Sequence, residues 1–185
     1  FNKRLWHATP FAKPGMAGVL FTYTSPEGEE GYPGEVNCAV TYALTDDNEL
    51  HIDFKATTTA PTAINLVHHT YWNLTGDLSR TILDHRLTLL AAYYCPTDAG
   101  GIPSGSLPIT ATGNTGPIPP GLAPVTGTPF DFRQPHAIGE RIDADHPQLA
   151  NGKGYDHSWA VDGEPGTLRR AVELHDPATG RVMEI

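Results

Sequence analysis

The residues best suited to acid–base chemistry lie in one short segment, residues 65–74, which reads Asn-Leu-Val-His-His-Thr-Tyr-Trp-Asn-Leu. It contains two imidazoles, two aromatic rings and two amides. A histidine here could serve as a general acid, because its ordinary pKa of about 6.5 lies near physiological pH. A histidine whose role is only structural, forming a hydrogen bond at the end of a strand, could stand in the same segment, so residue types alone leave both interpretations open.

The residues that precede the two histidines are mostly apolar: Ala63, Ile64, Leu66 and Val67. They predict a short buried strand. Because successive side chains of an extended chain point to opposite faces, His68 and His69 are expected to face different surroundings. This argues against a metal site that needs both rings turned to one ion. We expect Tyr71 and Trp72 to lie in the core or in the wall of a cleft.

The composition favours a neutral small molecule as ligand. The chain has 185 residues and a net charge of −9, and its 12 Lys and Arg residues are spread along it. Without a basic patch, nucleic acid and anionic membrane surfaces are not expected partners. No apolar run approaches the length of about 20 residues that spans a membrane. The length fits a single domain over residues 1–185.

The two cysteines, Cys38 and Cys95, lie far apart in the sequence, each in or near a segment with the pattern of a strand. They could form a disulfide. The interpretation we favour is two reduced, partly buried thiols, which indicates a reducing compartment and hence the cytoplasm.

Short alternating segments predict an all-β fold. The clearest is an antiparallel hairpin in which residues 36–44 and 50–56 flank a polar loop. Further strands are predicted at residues 19–23, 85–91, 155–161, 168–174 and 181–185. Residues 93–130 are rich in Gly, Pro and Thr and are predicted to be mostly loop. Residues 135–142 could form one helical turn, and no longer helical pattern is present.

Residues 65–74 also carry a family resemblance. The pattern Asn-Leu-x-x-His-x-Tyr-Trp/Phe-Asn-Leu resembles the central motif of the aldose 1-epimerases, also called mutarotases. Four further blocks resemble family segments in the family order: Gly-Tyr-Pro-Gly at 31–34, residues 41–50, Gly-Thr-Pro-Phe-Asp-Phe-Arg at 127–133 and Gly-Tyr-Asp-His at 154–157. The resemblance implies a large antiparallel β-sandwich and an enzyme that interconverts the α and β anomers of hexoses such as glucose or galactose, without metal or cofactor.

The resemblance also implies roles for single residues. His69 corresponds to the general acid, and Asp156 to an aspartate that accepts hydrogen bonds from sugar hydroxyls; an aspartate of a turn or an ion pair is the alternative for Asp156. The catalytic Glu and a binding Gln would follow Ile185, and a binding Arg and a further His would precede Phe1. The chain is therefore expected to be a fragment that lacks both ends.

Other noticeable residues are interpreted as structural. His68 stands where relatives often carry Asn and is read as a flanking residue. Asp131 is predicted to cap a loop or to pair with Arg133. The glycosylation sequon at Asn73 is interpreted as accidental. The stretch from Ser106 to Gly121 resembles an insertion or a local duplication within a loop.

Two rival functions stay open at this point. One is a hexose-6-phosphate 1-epimerase of the same fold, which would need Arg or Lys near the phosphate. The other is a sugar-binding or regulatory protein without catalysis, which would lack the base.

Overall fold

The computed structural model describes residues 1–104 and 121–185. The described residues form two compact units, Phe1–Thr70 and Tyr71–Ile185. Except for Gly121, the predicted insertion from Ser106 to Gly121 lies outside the described residues. That the two units belong to one domain stays a prediction.

The first unit contains a four-stranded antiparallel sheet in which each strand pairs with the next along the chain. Its strands are β1 (His7–Lys13), β2 (Met16–Ser25), β3 (Val36–Thr45) and β4 (Leu50–Thr58). A short 3₁₀ helix, Glu29–Gly31, lies between β2 and β3. The predicted hairpin is confirmed, with Leu44 opposite Leu50 where β3 and β4 meet the turn.

The turn between β3 and β4 is closed by its own polar residues. The Thr45 hydroxyl accepts hydrogen bonds from the backbone N–H groups of Asp47 (3.3 Å) and Glu49 (3.1 Å). Asn48 takes the left-handed conformation, with φ of 62°, which asparagine tolerates better than most residues. This local chemistry fixes the register of the hairpin.

Alternation in β3 builds the buried face of this unit. Val36, Cys38 and Val40 are buried at every second position. The Cys38 thiol is free, and so is the buried thiol of Cys95 in the second unit, in agreement with the interpretation of both as reduced.

The chain that follows β4 is not the buried strand that its apolar residues predict. Residues 61–73 contain neither strand nor helix. Ile64 is 43% exposed and Val67 is 70% exposed. The prediction for residues 63–67 is therefore wrong. A strand needs a neighbour that satisfies its backbone N–H and C=O groups, and this segment pairs with no strand among the described residues.

The second unit contains two small antiparallel sheets. One has the strand order β11-β10-β5-β8, and the other β7-β6-β9. Their strands are β5 (Arg86–Leu89), β6 (Tyr93–Cys95), β7 (Ala123–Pro124), β8 (His136–Ala137), β9 (Ser158–Ala160), β10 (Val172–His175) and β11 (Val182–Glu184). A 3₁₀ turn at Ile138–Glu140 and a short helix, α1 (Pro147–Gly152), complete the unit.

The core of the second unit lies between the sheet of β6 and helix α1. It is formed by Tyr94, Val125, Phe130 and Leu149, and Trp159 packs against it. Tyr94 and Phe130 stack with a ring-centroid distance of 4.5 Å and an angle of 3° between the rings. This core gives β6 its place in a sheet, so the prediction that residues 93–130 are mostly loop misses two short strands, β6 and β7.

The all-β class is confirmed, because antiparallel strands make up the regular structure of both units and α1 has 6 residues. Among the described residues, no helix has the length and apolar character required to cross a membrane.

Candidate functional site

The two neighbouring histidines of the first unit lie in different surroundings, as predicted. His69 is exposed, whereas His68 is half-buried. The His68 ring packs edge-on to Tyr42 at a centroid distance of 5.7 Å, and its Nε2 atom forms a hydrogen bond with the Thr70 hydroxyl. The difference arises from packing in an irregular segment rather than from the alternation of a strand. His69 is therefore the more exposed imidazole of the pair.

The aromatic residues after the histidines are not core residues. Tyr71 is 88% exposed and Trp72 is 37% exposed. The core position expected for these rings is therefore wrong, because the chain here is not a strand with one buried face, and a place in the wall of a cleft stays a prediction.

Asn73 closes a compact turn with its side chain. Its Oδ1 atom accepts hydrogen bonds from the Thr75 backbone N–H (3.0 Å) and hydroxyl (2.7 Å). Its Nδ2 atom donates to the Arg80 carbonyl at 2.9 Å. The amide that a glycosyl transfer would modify is thus engaged within the fold, which agrees with an accidental sequon.

The next residue, Leu74, is fixed through its backbone on both sides. Its N–H donates to Nε2 of the fully buried His85 at 3.0 Å. Its carbonyl accepts from Nη1 of Arg181 at 2.9 Å, and the same atom donates to the Thr75 carbonyl at 3.1 Å. The C-terminal end of the histidine segment is therefore anchored to the turn between β10 and β11.

In the second unit, Asp156 is exposed and lies two residues before the start of β9. Its neighbours on either side turn inward. The Tyr155 hydroxyl donates to the Pro129 carbonyl at 3.2 Å, and its ring meets Phe130 edge-on at 5.5 Å. The His157 ring meets Phe130 at 4.6 Å. With both neighbours held in the core, the Asp156 carboxylate faces solvent.

The chain reaches Asp156 through a tight turn at the C-terminal end of α1. Lys153 takes the left-handed conformation after α1, and the Gly154 N–H donates to the Leu149 carbonyl at 3.0 Å. Gly154 is buried and has φ of 124°, a conformation that favours glycine. The Gly-Tyr-Asp-His block therefore begins with a residue that the backbone requires.

Side-chain amides tie α1 to the chain beyond β6. Gln148 pairs with the backbone of Thr97 through two hydrogen bonds: its Oε1 atom accepts from the N–H at 2.7 Å, and its Nε2 atom donates to the carbonyl at 3.0 Å. Asn151 donates to the same carbonyl at 2.7 Å. His157 joins this network through its Nε2 atom, 3.1 Å from Gln148 Oε1. Burial lowers the pKa of His157, because it disfavours the charged ring.

The structural role predicted for Asp131 is confirmed. Arg133 donates to both carboxylate oxygens, from Nε at 2.9 Å and from Nη2 at 2.7 Å. These bonds hold the pKa of Asp131 below its ordinary value. The pair lines an open cleft of about 710 Å³ that also includes Gln134, His136 and Arg141.

His69 belongs to the first unit and Asp156 to the second. If both serve the same sugar, they must lie in one cleft, and this is a prediction. His157 lies in the Gly-Tyr-Asp-His block, but the sequence alone assigns no role to it, to Gln148 or to Thr97. The alternation of Tyr155, His157 and Trp159 with polar residues is the signal that could have identified the inward-facing set. In the described ranges, no three His, Cys, Asp or Glu side chains are grouped to hold a metal ion.

The described sheets share their fold with solved sugar epimerases. The crystal structure of a galactose 1-epimerase from Lactobacillus acidophilus NCFM matches with a TM-score of 0.75 and 31% identity, covering 94% of this chain and 45% of that chain. An aldose epimerase homologue from C. elegans matches with a TM-score of 0.68 and 23% identity, over 96% and 46% of the two chains, which is a likeness of fold alone. The fold class is that of the mutarotase-like β proteins.

The sequence places the chain within that class. The family model described as aldose 1-epimerase matches residues 1–185, and the chain belongs to this family. Galactose mutarotases of human and rat are 37% and 36% identical to it, over 100% of this chain and 46% of theirs. The aldose 1-epimerase of Escherichia coli (strain K12) is 37% identical over 87% of this chain and 41% of its own length. The chain thus spans about half the length of the relatives it matches.

Proposed function

We propose that the protein containing this chain is an aldose 1-epimerase that interconverts the α and β anomers of hexoses such as glucose or galactose. The observation that carries the proposal is the family match over the whole chain, with the exposed His69 inside the motif of residues 65–74. The ligand is a neutral sugar, which fits a chain with net charge −9 and scattered basic residues.

In this proposal, His69 is the general acid. Anomer exchange needs a proton on the ring oxygen of the sugar while a base removes the proton of the anomeric hydroxyl. The ring then opens, the bond between C1 and C2 rotates, and the ring closes on the other face. Histidine is the side chain most often used to transfer a proton to or from a reacting group. A Glu beyond Ile185 is the proposed base.

Asp156 is the proposed acceptor for sugar hydroxyls. A carboxylate offers several lone pairs, and hydrogen bonds to an ionised acceptor are stronger than neutral ones. Its exposure beside two neighbours that are held in the core supports this role, because the carboxylate is accessible while its backbone is fixed.

The test of the acid uses the longest natural polypeptide that contains these 185 residues. Polarimetry of freshly dissolved α-galactose and α-glucose gives kcat and KM. His69→Asn should lower kcat by about 10²- to 10⁴-fold, the usual effect of a positioned acid, while sugar binding stays measurable. His68→Asn is the matched control and should change kcat by less than about threefold. Near-normal turnover of His69→Asn would show that another group is the acid.

The binding role has its own substitution. Asp156→Asn should raise KM about tenfold or more, because a charge-assisted acceptor is lost. Asp143→Asn removes another exposed carboxylate of the same unit and should leave KM unchanged. A polypeptide that binds galactose without accelerating mutarotation would support the rival sugar-binding function instead.

The 185-residue chain alone is expected to be inactive, since an acid without its base cannot run the coupled proton exchange. A saturable acceleration of galactose mutarotation by the purified chain would place the base within residues 1–185. A cytoplasmic location belongs to the same proposal, supported by the free, buried thiols of Cys38 and Cys95.

A further inference from the structure

We infer that His157 is a positioning residue for Asp156. Its ring packs against Phe130 of the aromatic core and forms a hydrogen bond with Gln148, which is itself paired with Thr97. These contacts fix the backbone next to Asp156 and hence the direction of its carboxylate. The inference rests on the proposed function, because that function gives Asp156 its role towards the sugar. It adds a residue that does not itself touch the sugar.

The first observation is that residues on both sides of Asp156 pack against the core. Tyr155, His157 and Trp159 occupy alternate positions, and all three contact Phe130, at centroid distances of 5.5, 4.6 and 5.9 Å. Trp159 also donates from Nε1 to the Phe130 carbonyl at 3.1 Å. Three side chains thus hold this stretch against Phe130, whereas Asp156, which lies between two of them, is exposed.

The second observation is the directional bond of the His157 ring. Gln148 Oε1 can only accept, so the His157 Nε2 atom at 3.1 Å must carry the proton and donate. The same oxygen accepts from the Thr97 N–H at 2.7 Å. One amide oxygen therefore joins the residue after Asp156 to the chain that continues from β6.

The His157 ring has little room to move. A Cβ atom on Gly152 would lie 3.0 Å from His157 Cε1 and 3.4 Å from Nδ1. Nδ1 is buried and has no hydrogen-bond partner among the described residues. An unpaired buried nitrogen is unfavourable, so a residue that served packing alone would be better replaced by an apolar ring. The donor bond from Nε2 is the feature that only the histidine provides.

His157 positions Asp156 through its contacts and not through a charge on its ring. Burial lowers the pKa of His157, so the ring is neutral at physiological pH and adds no positive charge beside the Asp156 carboxylate. Loss of the Nε2 bond frees the ring to tilt against Phe130, and Asp156 then samples directions that miss the sugar hydroxyl.

The test is a double-mutant cycle in the longest natural polypeptide that contains the chain, with galactose as the probe. KM from polarimetry and the urea midpoint of unfolding are measured for His157→Phe, Asp156→Asn and the double variant. We expect His157→Phe to raise KM about fivefold to tenfold on its own and to have no further effect on KM when Asp156 is already Asn. Its effect on the urea midpoint should be the same in both backgrounds.

A conservative variant separates position from packing. The amide nitrogen of His157→Gln can reach the place of Nε2, so this variant should keep KM within about twofold, whereas the shorter His157→Asn should raise it as the Phe variant does. This comparison also decides the matter if His157→Phe does not fold.

Two results would overturn the inference while leaving the proposed function intact. One is an equal rise of KM for His157→Phe in both backgrounds. The other is an unchanged KM for His157→Phe and His157→Asn while Asp156→Asn raises it. An unchanged KM for Asp156→Asn alone has a different meaning, since it removes Asp156 from the sugar site and the inference falls with it.

Discussion

Replacing Phe130 by Ala is the most direct test of the core against which the neighbours of Asp156 pack. Its side chain is 0% exposed. The ring stacks on Tyr94 at 4.5 Å and meets His157 edge-on at 4.6 Å. Phe130→Ala would leave a cavity at the point where β6, α1 and the start of β9 converge.

The expected cost follows from burial and ring contacts. Replacing a fully buried Phe by Ala costs about 3–5 kcal/mol in the free energy of unfolding. A well-oriented aromatic pair is worth about 0.5–1.5 kcal/mol beyond its buried area, so the two close ring contacts place Phe130→Ala near the upper end of that range. Because domains have about 5–15 kcal/mol of stability in total, this loss would leave a markedly weakened second unit.

Urea unfolding at pH 7.5, followed by tryptophan fluorescence, measures this loss by linear extrapolation. Trp159 is a suitable reporter, because its Nε1 atom donates to the Phe130 carbonyl. Phe54→Ala, at a position 39% exposed on β4, is the matched control and should cost less than about 1 kcal/mol. A loss of less than about 2 kcal/mol for Phe130→Ala would refute the account of this core.

Three further predictions concern other parts of the chain. Gly18→Ala should abolish folding of the first sheet, as judged by circular dichroism, because a Cβ there would lie 2.2 Å from the Tyr42 carbonyl oxygen; retention of the native spectrum would contradict it. The buried, free thiols of Cys38 and Cys95 should react with a thiol reagent only on unfolding, and rapid labelling of the native chain would argue against their burial. The pKa of His157 is lowered in the folded state, so the unfolded chain takes up that proton at higher pH than the folded chain does. The free energy of unfolding should therefore fall as the pH drops below about 6.5. In urea midpoints measured from pH 7.5 to 5, His157→Phe should reduce this fall.

Hairpins are the part of the fold that the sequence predicts well. The β3–β4 hairpin has long alternating strands and a turn closed by the Thr45 hydroxyl. The β10–β11 hairpin likewise has its turn at Asp176, whose carboxylate accepts the N–H of Ala178 at 3.1 Å and the hydroxyl of Thr179 at 2.7 Å. In both cases the information is local, so residues close in sequence determine the structure.

The errors occur where distant contacts decide the structure. Residues 63–67 are apolar but pair with no strand among the described residues, so their composition misleads. Strand β6 is three residues long and depends on β7 and β9 for its hydrogen bonds. Helix α1 is too short to show a helical period and is instead marked by its His146 cap and by Pro147.

The candidate site shows the same division. The motif around His69 and the block around Asp156 identify two residues by resemblance. The groups that hold Asp156 in place could not be predicted, because Gln148 and Thr97 are separated by 51 residues in the chain and meet only through the folded core. Short-range patterns carry no information about such a pair.

The anchor of Leu74 has a consequence for the order in which the chain folds. Its carbonyl is held by Arg181, a residue 107 positions later. At a synthesis rate of about 5–20 residues per second, Arg181 is made about 5–20 s after Leu74. Until then, Leu74 lacks this tether, and closing so long a loop carries an entropic cost that delays the contact further. The turn at Leu74 and Thr75 is therefore expected to reach its final position late, although it lies in the first half of the sequence.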